Sequence, residues 1–296
     1  MPKTILVTGA TGRQGGAVVK ALQGSEFDII ALTRSTTSPA AQKLSATYPN
    51  VKLLQGDLAN AAAIFEQCKT PIWGVYSVQA QVQGPDKSQE EFQGKAIIDQ
   101  ALANNVQFFV YSSVDRGGDK SSETPTTVSH WVTKYNIEKY LIQKTNGTNM
   151  RYGILRPTAF MEGFTDDFMG KALASMWKSA LPEDKPLQLV ATKDIGWFAA
   201  YMFKNSDRLA GQAISLAGAE LTYTQATEVF KHALGKDMPE TFSIVAHMIL
   251  HAVKDVNAMF KWLKKEGTKA DIAELRSIHP EMTDFGTWLK TESQFR

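Results

Sequence analysis

A short apolar strand, Thr4-Ile5-Leu6-Val7-Thr8, runs directly into Gly9-Ala10-Thr11-Gly12-Arg13-Gln14-Gly15-Gly16 and then into the helical pattern Ala17-Val18-Val19-Lys20-Ala21-Leu22. Few architectures accept that order. A first glycine permits the tight turn out of a strand, a second lets backbone approach a pyrophosphate, and a third lets the next helix pack against the strand. Gly9, Gly12 and Gly15 keep a G-x-x-G-x-x-G spacing, one residue longer in its first gap than G-x-G-x-x-G. Free N–H groups at the helix start, with the positive end of its dipole, then face the phosphates. Strand before and helix after are the context that makes this a dinucleotide site and not merely a glycine loop.

The first half repeats the same alternation. Strands are expected at Thr4–Thr8, Asp28–Thr33, Val51–Gln55, Ile72–Val78, Val106–Ser112 and Arg151–Leu155, and helices at Gly15–Leu22, Ala59–Gln67, Gln89–Asn104 and His130–Lys144. Most of these strands are continuously apolar, as parallel strands covered on both faces are. The expected fold class is α/β: a Rossmann-type, doubly wound parallel sheet. After Leu155 the texture changes to a segment rich in Phe, Met and Gly, then to the loop Leu181-Pro182-Glu183-Asp184-Lys185-Pro186. Leu187–Thr192 and Ala213–Leu216 are expected to return to the sheet, and the pattern from Thr222 onward is mostly helical. Residues 1–156, with returning segments around 187–216, therefore read as the dinucleotide domain. Residues 157–186 and 217–296 read as a smaller, mainly helical C-terminal lobe that takes substrate or partner.

The 296 residues can bury a substantial core, and 43% hydrophobic with 21% charged residues is ordinary for a globular chain. A formal net charge of +2 does not draw the chain to nucleic acid, and no DNA-binding motif is present. The basic cluster Lys261, Lys264 and Lys265 beside Met259, Phe260, Trp262 and Leu263 reads as the wet side of an amphipathic helix. Cys68 is the single cysteine, which excludes an intramolecular disulfide and fits a reducing compartment. The N-terminus has no signal-peptide pattern, and no apolar run approaches a membrane span. The expected location is the cytoplasm, with the nucleus as an alternative. Asn146-Gly147-Thr148 matches a glycosylation acceptor but reads here as a turn.

Cofactor choice turns on the end of the second strand. An acidic residue there would hydrogen-bond the adenosine ribose and favour NAD. Instead Arg34 stands nineteen positions after Gly15, followed by Ser35, Thr36 and Thr37, while Arg13 projects from the glycine turn. Two guanidinium groups and hydroxyls suit a 2′-phosphate, since Arg binds phosphate bidentately, and so predict NADP(H). The competing reading leaves Arg34 at a strand end in solvent. Asp57, after the third strand, either accepts from the adenine amino group or caps the helix starting near Asn60.

Several segments together resemble the atypical short-chain dehydrogenase/reductase superfamily, and its NmrA-like branch in particular. They are the glycine turn, Gln55-Gly56-Asp57-Leu58, Tyr111-Ser112-Ser113, His130-Trp131-Val132-Thr133-Lys134-Tyr135-Asn136-Ile137-Glu138, Leu155-Arg156-Pro157-Thr158-Ala159-Phe160-Met161-Glu162 and Lys193-Asp194-Ile195-Gly196. The ending His279-Pro280-Glu281-Met282-Thr283-Asp284-Phe285-Gly286-Thr287-Trp288 resembles endings found there too. The resemblance implies NADP(H) held by Gly9, Thr11, Gly12, Arg13, Gln14, Gly15, Arg34, Ser35, Asp57, Leu58, Ser77, Lys134, Pro157 and Phe160. It is specific for fold and cofactor and weak for biological role, because the family includes NADP(H)-sensing regulators as well as reductases.

Enzymes of the superfamily pair Tyr-x-x-x-Lys with an upstream Ser: the Tyr moves the proton and the Lys binds the nicotinamide ribose. Tyr135-Asn136-Ile137-Glu138-Lys139 matches literally, but Lys134 followed four residues later by Glu138 supplies the family's register. A five-residue shift turns a helix by about 140°, which would swing Tyr135 away from the cofactor. His130 then occupies the Tyr position, a His-x-x-x-Lys pattern that NADPH-sensing NmrA-like proteins of animals resemble. Lys134, His130 and Ser113 are the candidate catalytic residues. His130 either exchanges a proton near neutrality or only packs and hydrogen-bonds. Ser112 or Ser113 either orients a substrate carbonyl or satisfies backbone at a strand end.

No metal is expected: His247 and His251 have i, i+4 spacing without a third ligand. Phe160, Met161, Phe164, Phe168, Met169, Met176 and Trp177 form either core or the wall of an apolar pocket, the second being favoured. Two functions remain. One is an NADP(H)-binding redox sensor or regulator whose nucleotide occupancy changes its protein partners. The other is an NADPH-dependent oxidoreductase acting on a small carbonyl, quinone or unsaturated metabolite. Oligomerisation is compatible with either.

Overall fold

The computed structural model describes residues 3–79 and 88–296. The strands are β1 (Lys3–Val7), β2 (Phe27–Thr33), β3 (Lys52–Gln55), β4 (Ile72–Ser77), β5 (Phe108–Ser112), β6 (Arg151–Pro157), β7 (Ala159–Phe160), β8 (Leu187–Val190), β9 (Ala213–Leu216) and β10 (Ala219–Leu221). The helices are α1 (Arg13–Ala21), α2 (Pro39–Thr47), α3 (Ala61–Glu66), α4 (Ser88–Ala103), α5 (Ser129–Thr145), α6 (Phe168–Ala180) and α7 (Thr192–Lys204). They continue with α8 (Tyr223–Leu234), α9 (Ser243–Ala252), α10 (Lys254–Lys265), α11 (Ile272–Ile278) and α12 (Phe285–Thr291). Two compact units result, one of residues 1–113, 133–155 and 193–214, the other of residues 114–132, 156–192 and 215–296.

The first unit is the doubly wound sheet that the strand–helix alternation predicts. Its strand order is β3-β2-β1-β4-β5-β6-β9, and the pairs β1–β2, β1–β4, β2–β3, β4–β5 and β5–β6 are all parallel. Successive strand residues alternate between faces. Leu6, Ile30, Val75 and Phe109 share one cluster with Ile64 of α3, Ile97 and Ile98 of α4 and Ile137 and Leu141 of α5. The opposite face meets α7: a Cβ on Gly74 would lie 3.0 Å from the Phe203 ring and 3.5 Å from Ile5. Because β1 pairs with both β2 and β4, the chain reverses direction across the sheet there, the place where sheets of this kind take their ligands, beyond the carboxyl ends of the strands.

The second unit has its own core. A three-stranded sheet of order β10-β8-β7 packs with α6, α8, α10 and α12 around Trp177, Phe230, Phe260, Phe285 and Trp288. Two expectations change here. Leu187–Val190 does not return to the large sheet: it pairs with β7 and β10 instead, although Ala213–Leu216 does return as β9. The Phe- and Met-rich segment after β6 is chiefly core, with Met161, Phe164, Met176 and Trp177 all buried, while Phe168 and Met169 are exposed. Residues 114–132 also fall in this unit, because Asp115 accepts from Lys269 N and the Trp131 ring meets the Trp262 ring edge-on at 5.0 Å.

α2 is not among the helices expected from the sequence. Its signals were nonetheless present: Ser38 accepts from Ala41 N as N-cap, and Pro39 opens the helix. Asn146-Gly147-Thr148 is a turn, with Thr148 N donating to Thr145 O and Gly147 at φ +74°. Among the described residues no helix is long and apolar enough to cross a membrane, and no group of three His, Cys, Asp or Glu is placed to hold a metal.

Candidate functional site

The glycine turn after β1 is shaped by backbone contacts that exclude side chains. Gly9 has φ +59°, and Gly12 N donates to Gly9 O at 2.8 Å, closing the turn. A Cβ on Gly15 would stand 2.3 Å from Gly9 O and 2.6 Å from Thr8 O, closer than any side chain tolerates. Gly12 is the N-cap of α1 and supplies no side-chain acceptor to the helix's first turn. The N–H groups of that turn and the positive end of α1 are therefore presented to an anion. Thr8 anchors the turn to the neighbouring strand end: its Oγ1 donates to Val78 O and accepts from Val78 N, each at 2.8 Å.

Gln14 links this turn to two further strands. Its Oε1 accepts from Ser112 Oγ at 2.6 Å and from Tyr76 Oη at 3.3 Å. Tyr76 is wholly buried, and that burial pushes its hydroxyl well above the ordinary phenol range, with the Ser112 hydrogen bond opposing weakly. Burial therefore favours the neutral, hydrogen-bond-donating form of the Tyr76 hydroxyl. Ser77 is buried and its Oγ accepts from Gln79 Nε2 at 2.9 Å. Ser113 is also buried, and its N–H donates to Leu155 O at 2.8 Å.

Beside the turn lies the end of β2. The β1–β2 register sets Val7 against Ala31, so the glycine turn and the Arg34 segment leave the same edge of the sheet. Arg13, Arg34 and Thr11 are exposed. Among the described residues no carboxylate is paired with either guanidinium. Ser35 Oγ lies 3.1 Å from Thr37 Oγ1, and Thr36 Oγ1 donates to Gln55 Oε1 at 3.3 Å. Asp57 Oδ1 accepts from Ala59 N at 2.9 Å and so caps the 3-10 turn that opens at Leu58. Asn60, not Asp57, caps α3.

Lys134 Nζ donates to Glu90 Oε1 at 2.9 Å, and the Glu90 side chain is completely buried. Lys139, by contrast, is exposed, with its ammonium 6.0 Å from the centre of the Tyr135 ring. Glu90 and Tyr76 were absent from the sequence reading. Nothing in one sequence marks either, because Glu90 meets Lys134 across 44 positions and Tyr76 meets Gln14 across 62.

His130, Pro157 and Phe160 belong to the second unit. The His130 Nδ1 is hydrogen-bonded to Asp255 Oδ2, and Asp255 Oδ1 accepts from Ser129 N and Ser129 Oγ at 2.7 Å each. Burial pushes the Asp255 carboxyl up, but these hydrogen bonds and the imidazole outweigh it and hold the group below the ordinary carboxylate range. Since an ionised carboxylate only accepts, Nδ1 carries the hydrogen. Pro157 O accepts from Asp115 N at 3.0 Å, and Phe160 pairs with Val190 in the small sheet.

The sequence model of the NmrA-like family matches residues 1–289. The NmrA-like family domain-containing oxidoreductase ptmS of Penicillium ochrochloron is 34% identical over 173 residues, 55% of this chain and 48% of that protein. The nitrogen metabolite repression protein nmrA of Emericella nidulans is 26% identical over 252 residues, 79% of this chain and 66% of that protein. The chain thus spans less than two thirds of the length of either relative. Among solved structures, NmrA, a negative transcriptional regulator, superimposes in complex with NAD at a TM-score of 0.74 and 19% identity, covering 99% of this chain and 96% of that one. The same regulator in complex with NADP gives 0.72 and 20%, with the same coverage. At such identity the likeness establishes the fold.

Proposed function

The chain belongs to the NmrA-like family, and from that premise we propose that it binds NADP(H) and works as a nucleotide-responsive regulator. The dinucleotide class is supported by the Gly9–Gly15 contact, which leaves room for backbone and none for a side chain. It is supported too by the solved relatives, which hold NAD or NADP. NADP(H) is preferred over NAD(H) because the Arg34-Ser35 segment stands where an acidic residue would bind an unmodified ribose, and Arg13 lies in the glycine turn that leaves the same edge of the sheet. Gly9, Thr11, Gly12, Gln14 and Gly15 hold the pyrophosphate, Asp57 and Leu58 border the adenine, and Ser77 and Lys134 approach the nicotinamide half.

One observation carries the choice of regulator over reductase: Lys134, the only member of the superfamily's Tyr and Lys pair in register, is bound to a buried carboxylate. His130, standing at the Tyr position, is likewise bound to Asp255. A reductase would need one of them, with Ser113, to polarise a substrate oxygen while the cofactor supplies hydride. Two measurements on the purified chain test the reading. NADPH should bind at least about tenfold more tightly than NADH, the gain of roughly one charge-assisted phosphate contact. A panel of carbonyls and quinones should leave NADPH oxidation at background. Equal affinities would remove the cofactor assignment, and turnover would replace the regulator with an oxidoreductase.

A further inference from the structure

The second unit contains a cavity of about 700 Å³ lined wholly by its own residues. One wall runs from Arg116 to Thr127, and the other from His251 to Lys269. On α10, Lys254, Ala258, Lys261 and Lys265 recur at i, i+4, i+7 and i+11, a spacing that sets them along one face of the helix. Trp262 adds an apolar floor, and Phe260 and Leu263 are buried in the core. Lys261, Lys264 and Lys265 are all exposed, as expected for the wet side of an amphipathic helix, and Lys261 and Lys265 also line the cavity.

Charge in this cavity is strongly one-sided. Lys120, Lys254, Lys261, Lys265 and Lys269 line it with a single carboxylate, Glu266, in a chain whose formal net charge is only +2. Glu266 is paired with Lys265 at 3.3 Å. Among the described residues no carboxylate is paired with Lys120, Lys254, Lys261 or Lys269. The frame that gathers these cations is firm. Asp115, wholly buried, accepts from Gly117 N and Gly118 N at 2.9 Å and from Lys269 N at 3.1 Å, tying one wall to the other. Arg116, 1% exposed, donates to the carbonyls of Val114, Ser121 and Thr124. Crowded like charges repel, and a concave site focuses their field on whatever enters.

We propose that this cavity binds a small polyanion, a compound carrying at least two phosphate groups, with Trp262 and Ala258 receiving its apolar part. Its volume lies within the range of small-molecule pockets and is far from the broad surface a protein partner requires. None of the residues assigned to the dinucleotide lines it, so the proposal stands independently of that assignment.

The test is calorimetric titration of the full chain with inorganic tripolyphosphate at low salt, repeated with the Lys261→Gln/Lys265→Gln variant and with saturating NADPH. Both substituted side chains are exposed, and an unchanged melting temperature establishes that the variant is folded. One binding event is expected, weakened about tenfold by loss of the two charges, insensitive to NADPH and suppressed by added salt. No binding would overturn the proposal, as would equal affinity in the variant. Displacement by NADPH with no effect of the variant would assign the anion to the glycine turn. A response to polyglutamate with none to tripolyphosphate would make the cavity a protein-docking surface.

Discussion

Lys134 donates to Glu90 across 2.9 Å, and the carboxylate it meets has no exposure to solvent. The second oxygen of Glu90 has no hydrogen-bond partner among the described residues. The carboxylate therefore depends on Lys134. Replacing Lys134 with Met should cost about 3–5 kcal/mol, because an uncompensated charge stays buried. Glu90→Gln should cost less, and the double variant Lys134→Met/Glu90→Met should recover much of the loss. Urea denaturation midpoints check the order, and an unaltered midpoint for Lys134→Met would refute it.

Adjacent glycines should respond differently to a single methyl group. Gly15→Ala drives a Cβ to 2.3 Å from Gly9 O, and the backbone must shift to admit it. A stability loss of about 1–3 kcal/mol is expected, together with loss of dinucleotide binding. Gly16→Ala places its Cβ 3.4 Å from Ala10 O, where a small adjustment suffices. Helix propensity then favours alanine by about 0.5–1 kcal/mol, so Gly16→Ala should be neutral or stabilising. Thermal melts of the two variants read the sign directly.

The arginines at the sheet edge should act on one cofactor only. Arg13→Gln/Arg34→Gln removes two exposed cations and is expected to weaken NADPH binding at least about tenfold while changing NADH binding little. The NADPH affinity lost should itself shrink as salt is raised. Parallel weakening of both cofactors would place the arginines on the shared pyrophosphate.

Asp255 predicts an acid-side dependence in the second unit. Its folded carboxyl titrates below the ordinary range, although burial alone would raise it, because Ser129 and His130 bond the ionised form. A depressed carboxyl stabilises the fold above its unfolded value, about 4, and that contribution is lost as pH falls through the lower folded value. The group is partly exposed, so the contribution is about 0.5–1 kcal/mol after screening. The stability difference between the parent chain and Asp255→Asn should hold from about pH 7 to pH 5 and shrink as pH falls below about 4. A difference that persists at the acid end would refute the linkage.

Local periodicity and glycine chemistry make the first unit legible. Strand runs such as Asp28–Thr33 and Val106–Ser112 are buried on both faces, so hydrophobicity alone marks them, and their ends fall within two residues of β2 and β5. The glycine turn is equally local, because its geometry is set by contacts within Thr8 to Gly15. The fate of Leu187–Val190 was not legible: a short apolar strand carries no mark of its partner, and β7 and β10 claimed it in place of the large sheet.

The sequence by itself determined that a Rossmann unit forms and that its first strand ends in a tight glycine turn, since both follow from residues that are neighbours in the chain. Tertiary structure decided what the remaining chemistry touches. It gave Lys134 to Glu90 and His130 to Asp255, the latter across 125 positions. It also gathered Arg116, Lys120 and Lys269 opposite a basic face of α10. Pairing at such separations is set by how whole elements pack, and one-dimensional spacing carries no record of it.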